Sequence, residues 1–324
     1  MLHYRTQGYN GCAVKYSPFF DNRLAVASSS NFGLVGNGRL HILELTANGI
    51  QPLKWFTTQD SLYDLAWSEI HENQVLAASG DGSIKLFDCT ANDFPISNWK
   101  EHAREVFSVS WNPVAKDRFC SSSWDGTVRI WSPHRPQSLL TLPTHSCTYS
   151  ASFCPHSPDI ISSPSTPDPP APAIPGQPGG PAPPAEALTH DWNKYRPTVL
   201  ATAGVDRAIR TFDIRAPQQG PLSTMLGHEY AVRKLAWSPH LSNVLLSASY
   251  DMTCRVWSDR SDVAGGDMDM MRAGPVVGAE LGRMGRHTEF VTGVDWCLFG
   301  SEGWCASVGW DENLYVWDVR ATMS

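Results

Sequence analysis

Residues 101–131 read EHAREVFSVSW, then NPVAKDRFC, then SSSWDGTVRIW, and this stretch decides the fold. It begins with a strand-like run that ends in Trp111, crosses an Asn-Pro turn, and enters a second strand of small residues. A tight turn at Asp125 and Gly126 leads into a third strand that ends in Trp131. Alternating apolar residues bounded by turn residues are typical of short antiparallel strands. The stretch is therefore predicted to form one small sheet, which cannot bury a core alone.

The same unit recurs along the chain. The aromatic residues that end its first strand are Tyr16, Trp67, Trp111, Phe153, Trp192, Trp237 and Trp296. The residues that end its third strand are Phe87, Trp131, Phe212, Trp257 and Trp317, with a weaker one near Leu45. A period of roughly 40–45 residues with four strands per unit is typical of a β-propeller. Seven first strands against six third strands predict an all-β, seven-bladed propeller with an incomplete fourth blade.

Closure of the ring is also readable from the sequence. The chain ends shortly after a third strand, Leu314–Val319, so the last blade lacks an outer strand of its own. We expect Leu2–Gln7 to supply that strand and to close the ring. Residues 1–324 are accordingly predicted to form a single propeller domain.

A set of polar residues repeats at fixed spacing in three of the units. A His precedes an Asp by 23 or 24 residues, a Ser lies four before the Asp, and a Trp six after it. The members are His102, Ser121, Asp125, Trp131, His228, Ser247, Asp251, Trp257, His287, Ser307, Asp311 and Trp317. Because the set recurs once per blade, it cannot converge on one centre. It is predicted to be a structural tetrad whose members satisfy one another's buried polar groups.

Two segments break the repeat. Residues 164–185 are rich in proline, which donates no ladder hydrogen bond and is excluded from central strands. They are predicted to be a loop that replaces the outer strands of blade four. A second insertion, 259–286, is predicted to be a surface loop of blade six that also holds its outer strand, near Pro275–Gly282.

Composition excludes several classes of function. The net charge is −7, and binding of nucleic acid would need a basic stripe. The eight cysteines form no C-x-x-C pair and read as small buried residues of a reducing compartment. No phosphate loop, nucleophile motif or metal-ligand cluster is present, so we expect no catalytic residues, no metal and no cofactor. Without a secretory signal or an apolar span, a cytoplasmic protein is expected.

The candidate binding site lies where the first strands begin. Trp124, Tyr250 and Trp310 precede the tetrad Asp in three blades, at a turn where a small or polar residue is usual. Large aromatics at such turns are typical anchors of binding hot spots. We call this end of the propeller, where the first strands begin, the rim. The other candidates at the rim are Asp60, Tyr63, Glu105, Arg233, Glu289 and Phe290. Aromatics and carboxylates around one opening favour a basic, amphipathic peptide, although Glu105 could instead pair with Arg104.

Several longer stretches resemble one family. They are YSPFFDNRLAVA (16–27), NFGLVGNGRL (31–40), EHAREVFS (101–108), NKYRP (193–197) and SASYDMTCRVW (247–257). These strings are similar to the receptors for the type 2 peroxisomal targeting signal, which are peroxins of the WD-repeat family. The resemblance covers nearly the whole chain except 164–185 and 259–286. Family members have a complete fourth blade, so the proline-rich segment is a departure.

The resemblance implies a function and a set of partners. Such receptors bind matrix enzymes in the cytosol through an N-terminal helical signal of the form Arg-Leu-x5-His-Leu. They then act with a peroxin co-receptor to deliver the cargo to the peroxisomal docking complex, shuttling between the cytosol and the peroxisome matrix. The signal's Arg and His would meet the acidic rim, and its leucines the aromatic anchors.

Two other readings of the sequence remain open. The stretches FDIR (212–215) and WDVR (317–320) fit a W-D-x-R box, which is found in substrate receptors of cullin-type ubiquitin ligases. A generic protein-interaction scaffold is the second alternative.

Overall fold

The chain folds into a ring of short antiparallel sheets. The computed structural model describes residues 1–30, 36–91, 93–164, 186–261, 276–300 and 302–322. We number the sheets 1 to 7 in chain order. Sheet 1 contains β2 (Asn10–Tyr16), β3 (Arg23–Ser30), β4 (Asn37–Thr46) and β5 (Gly49–Thr58). Sheet 2 contains β6 (Leu62–Trp67), β7 (Gln74–Ser79), β8 (Ser83–Asp88) and β9 (Ser97–Lys100). Sheet 3 contains β10 (Val106–Trp111), β11 (Phe119–Ser123), β12 (Thr127–Trp131) and β13 (Leu140–Pro143).

The remaining sheets differ in strand number. Sheet 4 contains β14 (Ser152–Phe153) and β15 (Ile161–Ser162). Sheet 5 contains β16 (Ala187–Trp192), β17 (Val199–Gly204), β18 (Ile209–Asp213), β19 (Ser223–Met225) and β23 (Val276–Val277). Sheet 6 contains β20 (Val232–Trp237), β21 (Val244–Ser249), β22 (Cys254–Ser258) and β24 (Ala279–Met284). Sheet 7 contains β25 (Val291–Trp296), β26 (Trp304–Gly309), β27 (Asn313–Asp318) and β1 (Leu2–Arg5). Two 3₁₀ turns lie at Pro217–Gln219 and Val319–Ala321.

The all-β propeller is confirmed, but the prediction of seven blades was wrong. Six sheets have four or five strands and are complete blades, whereas sheet 4 has only two strands among the described residues. Aromatic residues at the ends of first strands suggested seven units because Phe153 ends a strand of its own. The proline-rich segment 164–185 lies outside the described residues from Ser165 onward.

Strands from the two ends of the chain close the ring. β1 pairs antiparallel with β27, with Leu2 opposite Val316 and Tyr4 opposite Leu314. The N-terminal strand is therefore the outer strand of sheet 7, as the sequence predicted. Because the closing strand comes from the far end of the chain, the two termini are held in one sheet.

The core lies between neighbouring sheets. The faces of sheets 1 and 2 share one cluster that includes Leu40, Phe56, Leu65 and Phe87, and each of these side chains is buried. Complete burial of one such side chain contributes roughly 1.5–3 kcal/mol to folding. Each sheet is thus stabilised by its two neighbours, which explains why no single unit would fold alone.

Buried or half-buried aspartates link the inner strands to one another. Asp64 Oδ2 accepts the N–H of Val109 at 3.3 Å, and Asp191 Oδ2 accepts the N–H of Trp237 at 2.7 Å. Asp295 Oδ2 likewise accepts the N–H of Tyr16 at 2.9 Å across the closure of the ring. In each case the acceptor belongs to one sheet and the donor to another. These carboxylates therefore hold the inner ring together around the central channel.

The insertion at 259–286 contributes two strands. β24 pairs with β22 as the outer strand of sheet 6 and begins four residues after the start predicted for it. β23 pairs parallel with β19, which makes it a fifth strand of sheet 5. The rest of the insertion, 262–275, lies outside the described residues.

Candidate functional site

The inner strands share an irregularity at the end that forms the candidate rim. In six of them the pairing register shifts four residues before the aromatic that ends the strand, so that one residue has no partner on the adjacent strand. These residues are Cys12, Tyr63, Phe107, Leu188, Arg233 and Thr292. A β-bulge bends its strand and redirects the unpaired side chain. Repetition of the bulge around the ring thus gathers a set of side chains at one mouth of the channel.

The first aromatic cluster contains Tyr63, Phe107, Trp124 and Tyr149. The ring of Phe107 stacks on Tyr63 with 4.5 Å between centroids and on Trp124 with 4.6 Å. Tyr149 meets the edge of the Phe107 ring at 5.3 Å and of the Trp124 ring at 5.7 Å. All four side chains are half-buried. They form a continuous apolar surface that spans sheets 2 to 4.

The second aromatic cluster contains Tyr250, Phe290 and Trp310. The ring of Phe290 lies between the other two, 4.8 Å from Tyr250 and 5.2 Å from Trp310. These residues belong to sheets 6 and 7 and are also half-buried. The three turn aromatics of the sequence prediction are therefore divided between two clusters.

Charged groups lie beside both clusters. Asp60 and Glu105 are half-buried, and Glu289 is exposed. Burial, with further contributions from nearby acidic groups that include Asp60 and Glu105, raises the pKa of Tyr63 to about 12. Glu105 lies 3.5 Å from the Arg104 guanidinium, so the alternative pairing considered for it is present. Because Arg104 is half-exposed, that pair is screened by solvent and leaves the carboxylate available.

Arg233 is the rim's basic member and lies close to several rim residues. Burial raises the pKa of Tyr149 to about 12, Glu186 adds to the rise, and the positive charge of Arg233 opposes it. Arg233 also opposes the rise in the pKa of Cys12, which reaches about 11 through burial. Arg233 therefore adds a positive charge to the rim, as does Arg104 beside Glu105, while the other predicted charged members are carboxylates.

The predicted tetrads hold the turns that carry three of the aromatics. His228 Nδ1 lies 2.7 Å from Asp251 Oδ2, and His228 Nε2 lies 2.6 Å from Ser247 Oγ. Trp257 Nε1 donates to the same Ser247 oxygen at 2.8 Å. The other two tetrads have the same connections, with His-to-Asp distances of 2.8 and 3.0 Å and Trp-to-Ser distances of 2.8 and 3.3 Å. No member is free to act on a ligand.

Two residues of the first cluster were missed by the sequence reasoning. Phe107 is the ring on which that cluster is centred, and Tyr149 borders both Phe107 and Trp124. A signal for Phe107 was present, because it occupies the same second position of its inner strand as Tyr63 and Arg233. Tyr149 lies four residues before Phe153, as Phe107 lies four before Trp111, so aligning the units on these aromatics would have pointed to both.

The opposite mouth of the channel opens into a cavity of about 390 Å³ with paired charges along its wall. Lys15 Nζ lies 2.9 Å from Asp295, and Lys234 Nζ lies 3.4 Å from Asp64. Within the described residues, no group of three or more His, Cys, Asp or Glu side chains could hold a metal ion. No helix in that part of the chain is long and apolar enough to cross a membrane.

In each of the two W-D-x-R boxes the arginine pairs with the aspartate of the same box. Arg215 Nε donates to Asp213 at 3.0 Å, and Arg320 Nε donates to Asp318 at 2.9 Å. Both side chains are exposed, and the arrangement is that of a local surface pair. It does not distinguish a protein contact from a purely solvated arginine.

Comparison with known proteins agrees with the fold and shows the family. The family model described as "WD domain, G-beta repeat" matches residues 94–132 and 219–258. The peroxisomal targeting signal 2 receptor of Saccharomyces cerevisiae is 44% identical, with 98% of this chain and 99% of that protein covered. Peroxisome biogenesis protein 7 of Arabidopsis thaliana is 42% identical over 97% of this chain and 98% of its own length. The Mus musculus peroxisomal targeting signal 2 receptor is 35% identical, and the match covers 97% and 95%. The chain belongs to the family of WD-repeat peroxisomal targeting signal 2 receptors.

Proposed function

We propose that the chain is an import receptor that binds the N-terminal type 2 signal of peroxisomal matrix enzymes in the cytosol. It then delivers the cargo, with a peroxin co-receptor, to the docking complex of the peroxisome and shuttles to the matrix. The observation that carries this proposal is the rim, where two aromatic clusters lie beside carboxylates. Membership in a family whose relatives are named as receptors for this signal supports the same role.

The signal presents side chains of the kinds that such a rim would bind. In Arg-Leu-x5-His-Leu the two leucines are seven residues apart, which is about two helical turns or 10.5 Å. Both leucines therefore lie on one stripe of the helix, and the Arg and His lie together on the adjacent stripe. In the proposed complex, each leucine packs against one of the two aromatic clusters, so that the apolar stripe of the helix contacts both clusters. The basic stripe then faces the carboxylates.

The carboxylates and Arg233 together would orient the signal. The signal's Arg is attracted to Asp60 and Glu105 beside the first cluster and repelled by Arg233. A charge-assisted hydrogen bond between guanidinium and carboxylate is stronger than one between neutral groups and requires a defined geometry. Attraction and repulsion at one rim favour a single direction of the bound helix.

Charge reversal at the rim tests the proposal. A fluorescent helix with the Arg-Leu-x5-His-Leu pattern is titrated against the wild-type chain and the Asp60→Lys/Glu105→Lys variant. The titration is made with and without co-receptor. We expect at least a thirtyfold loss of affinity, about 2 kcal/mol, because attraction becomes repulsion. The melting temperature should fall by no more than a few degrees, because among the described residues Asp60 Oδ1 accepts only the N–H of Ser61, at 2.7 Å.

The matched control is Asp117→Lys. Asp117 is an exposed carboxylate in the turn between β10 and β11, at the end of the sheet opposite the rim. Each Asp→Lys or Glu→Lys change adds two positive charges, so this control makes half the charge change of the double variant without touching the site, and affinity should be retained. Equal affinity of the wild type and the double variant would refute the acidic rim. The absence of any binding by the wild type, even with co-receptor, would refute the receptor proposal itself.

A further inference from the structure

A second exposed patch lies on the side of the propeller where sheets 1 and 7 meet. It consists of Tyr4, Tyr9, Arg39, Leu53 and Trp55, and we name it the side patch. Trp55 is 54% exposed and Leu53 is 47% exposed, although both side chains are large and apolar. They lie on β5, the outermost strand of sheet 1, which pairs on one side only among the described residues. None of these residues belongs to the rim.

Arg39 lies at the centre of the side patch between aromatic rings. Its guanidinium carbon is 4.2 Å from the centroid of the Tyr9 ring and 5.9 Å from that of Trp55. The positive charge of Arg39 opposes the rise in pKa that burial gives Tyr4, which places Tyr4 nearby. In the sheet, Arg39 lies opposite Thr57, and Trp55 lies opposite the neighbouring His41. The rings hold a planar cation in one orientation at the surface.

The charge of Arg39 is uncompensated within the described residues. No carboxylate forms an ion pair with it there, and its Nε is covered without an acceptor. The nearby cations are different, because Arg5 pairs with Glu312 at 3.1 Å and Lys54 lies 3.6 Å from Asp93. Among other half-buried arginines, Arg196 pairs with Asp259, whereas Arg23, which has no carboxylate partner in the described residues, donates to Asn73 Oδ1 at 3.1 Å. The half-buried Arg39 guanidinium has no carboxylate partner in that part of the chain, and this indicates a ligand that carries a carboxylate.

We propose that the side patch is a docking surface for an acidic, apolar peptide segment of a partner protein. An Asp or Glu of the segment pairs with Arg39, whose fork of N–H groups matches a carboxylate. An adjacent apolar side chain covers Trp55 and Leu53. Exposed Trp and Arg side chains are the residue types that dominate binding energy at protein interfaces. This surface is separate from the proposed signal site, and the two can be occupied together.

Peptide display tests the proposed chemistry. Random eight-residue peptides are selected on the full chain in the presence of saturating signal helix, and clones that also bind the Arg39→Glu variant are removed. We expect the enriched sequences to share an Asp or Glu next to a Leu, Phe or Trp. A pool with no acidic consensus, or no enrichment that depends on Arg39, would overturn the proposal.

A charge swap then tests the contact itself. The selected peptide and a version with Lys in place of its acidic residue are titrated against the wild type, Arg39→Glu and Trp55→Ala. We expect each variant to bind the acidic peptide at least tenfold more weakly, and the Lys peptide to recover affinity only on Arg39→Glu. Arg118→Glu reverses the charge of a half-buried arginine that already pairs with Asp117, and this variant should bind as the wild type does.

Binding of the signal helix to the same variants separates this surface from the rim. Arg39→Glu and Trp55→Ala should retain wild-type affinity for the signal helix and a wild-type melting temperature. If Arg39→Glu also lost the signal helix while remaining folded, Arg39 would belong to the signal site and the separate surface would be refuted. If the Lys peptide failed to recover affinity, the pairing with Arg39 would be refuted.

Discussion

Neighbouring residues in the same turn differ completely in what they contact. Asp251 is buried in a network with His228 and Arg255, whereas Tyr250, the residue before it, turns its ring toward Phe290 at the rim. The same contrast separates Asp125 from Trp124, because the first bonds a tetrad histidine and the second stacks on Phe107. One turn thus contributes both to the fold and to the candidate site.

The contrast shows how the rim is held in place. The backbone N–H of each turn aromatic donates to the carbonyl before an inner strand, at 3.1 Å for Trp124, 3.0 Å for Tyr250 and 2.9 Å for Trp310. The residue after each tetrad Asp has a positive φ, for example 65° at Met252 and 61° at Glu312. A turn fixed on both sides of the aromatic presents it without a large entropic cost on binding. The tetrads therefore preorganise the rim.

The largest effect is expected from loss of a tetrad carboxylate. Asp251→Ala removes a partner of Arg255, whose side chain is only 2% exposed, and leaves the tetrad histidine without its acceptor. Removing one member of a buried ion pair costs about 3–5 kcal/mol, so the free energy of unfolding in urea should fall by that amount. Tyr250→Ala is the matched control one residue away. It should lose less than about 1.5 kcal/mol of stability but weaken binding of the signal helix. Equal destabilisation by the two substitutions would contradict the division of the turn into a structural Asp251 and a ligand-facing Tyr250.

The second effect concerns the ring that joins the first cluster. Phe107→Ala removes the stacking partner of both Tyr63 and Trp124, so those side chains lose their fixed positions. Affinity for the signal helix should fall by about thirtyfold to a hundredfold, or 2–3 kcal/mol, in a fluorescence titration. Phe94→Ala, at an exposed aromatic outside the rim, should leave the affinity unchanged. An unchanged affinity in Phe107→Ala would remove the first cluster from the binding site.

The third effect is a pH dependence of the free energy of unfolding, which arises from buried histidines and not from residues of the rim. Burial lowers the pKa of His190 to about 4, and its Nε2 lies 2.8 Å from Ser152 Oγ in sheet 4. Below pH 6.5 the unfolded chain takes up a proton at this residue and the folded chain does not. Stability is therefore full above pH 6.5 and falls through the window from 6.5 to 4, by about 1.4 kcal/mol per pH unit.

The measurement is the free energy of unfolding in urea between about pH 5 and 7. His190 alone contributes a loss of about 2 kcal/mol from pH 6.5 to 5. The buried His41, whose pKa is lowered to about 3, adds a loss of the same sign. His190→Gln should have a shallower pH dependence than the wild type by about one proton. Identical slopes for the two proteins would show that His190 is protonated in the folded chain.

Much of this arrangement was predictable because it is periodic. The spacing from His228 to Asp251 to Trp257 predicted the tetrad. The missing outer strand of the last blade predicted closure of the ring by Leu2–Gln7. Features that depend on a single sheet were not predictable. Sheet 4 retains an inner strand that ends in Phe153, so the first-strand count gave seven blades where six are complete.

The rim was predicted in part, for a physical reason. Trp124 and Tyr250 were visible because large aromatics are unusual at turns. Phe107 was overlooked, because an aromatic inside a strand looks like core in the sequence, although it matches the position of Tyr63 in the repeat. A bulge at its position turns the side chain out of the sheet pattern, and only the pairing register reveals that change.

The smallest effect should come from the pair at the edge of the first cluster. Arg104 lies 3.5 Å from Glu105 and 5.2 Å from the centre of the Trp124 ring, and its side chain is half-exposed. Such a surface pair is worth less than about 1 kcal/mol, so Arg104→Ala should leave the unfolding free energy unchanged. The substitution removes a cation that competes weakly with a basic ligand for Glu105, so affinity for the signal helix should rise, by about fivefold at most. The gain should shrink in high salt, which screens the contact. A loss of affinity would instead show that Arg104 itself contacts the ligand, and that the rim is not acidic at this point.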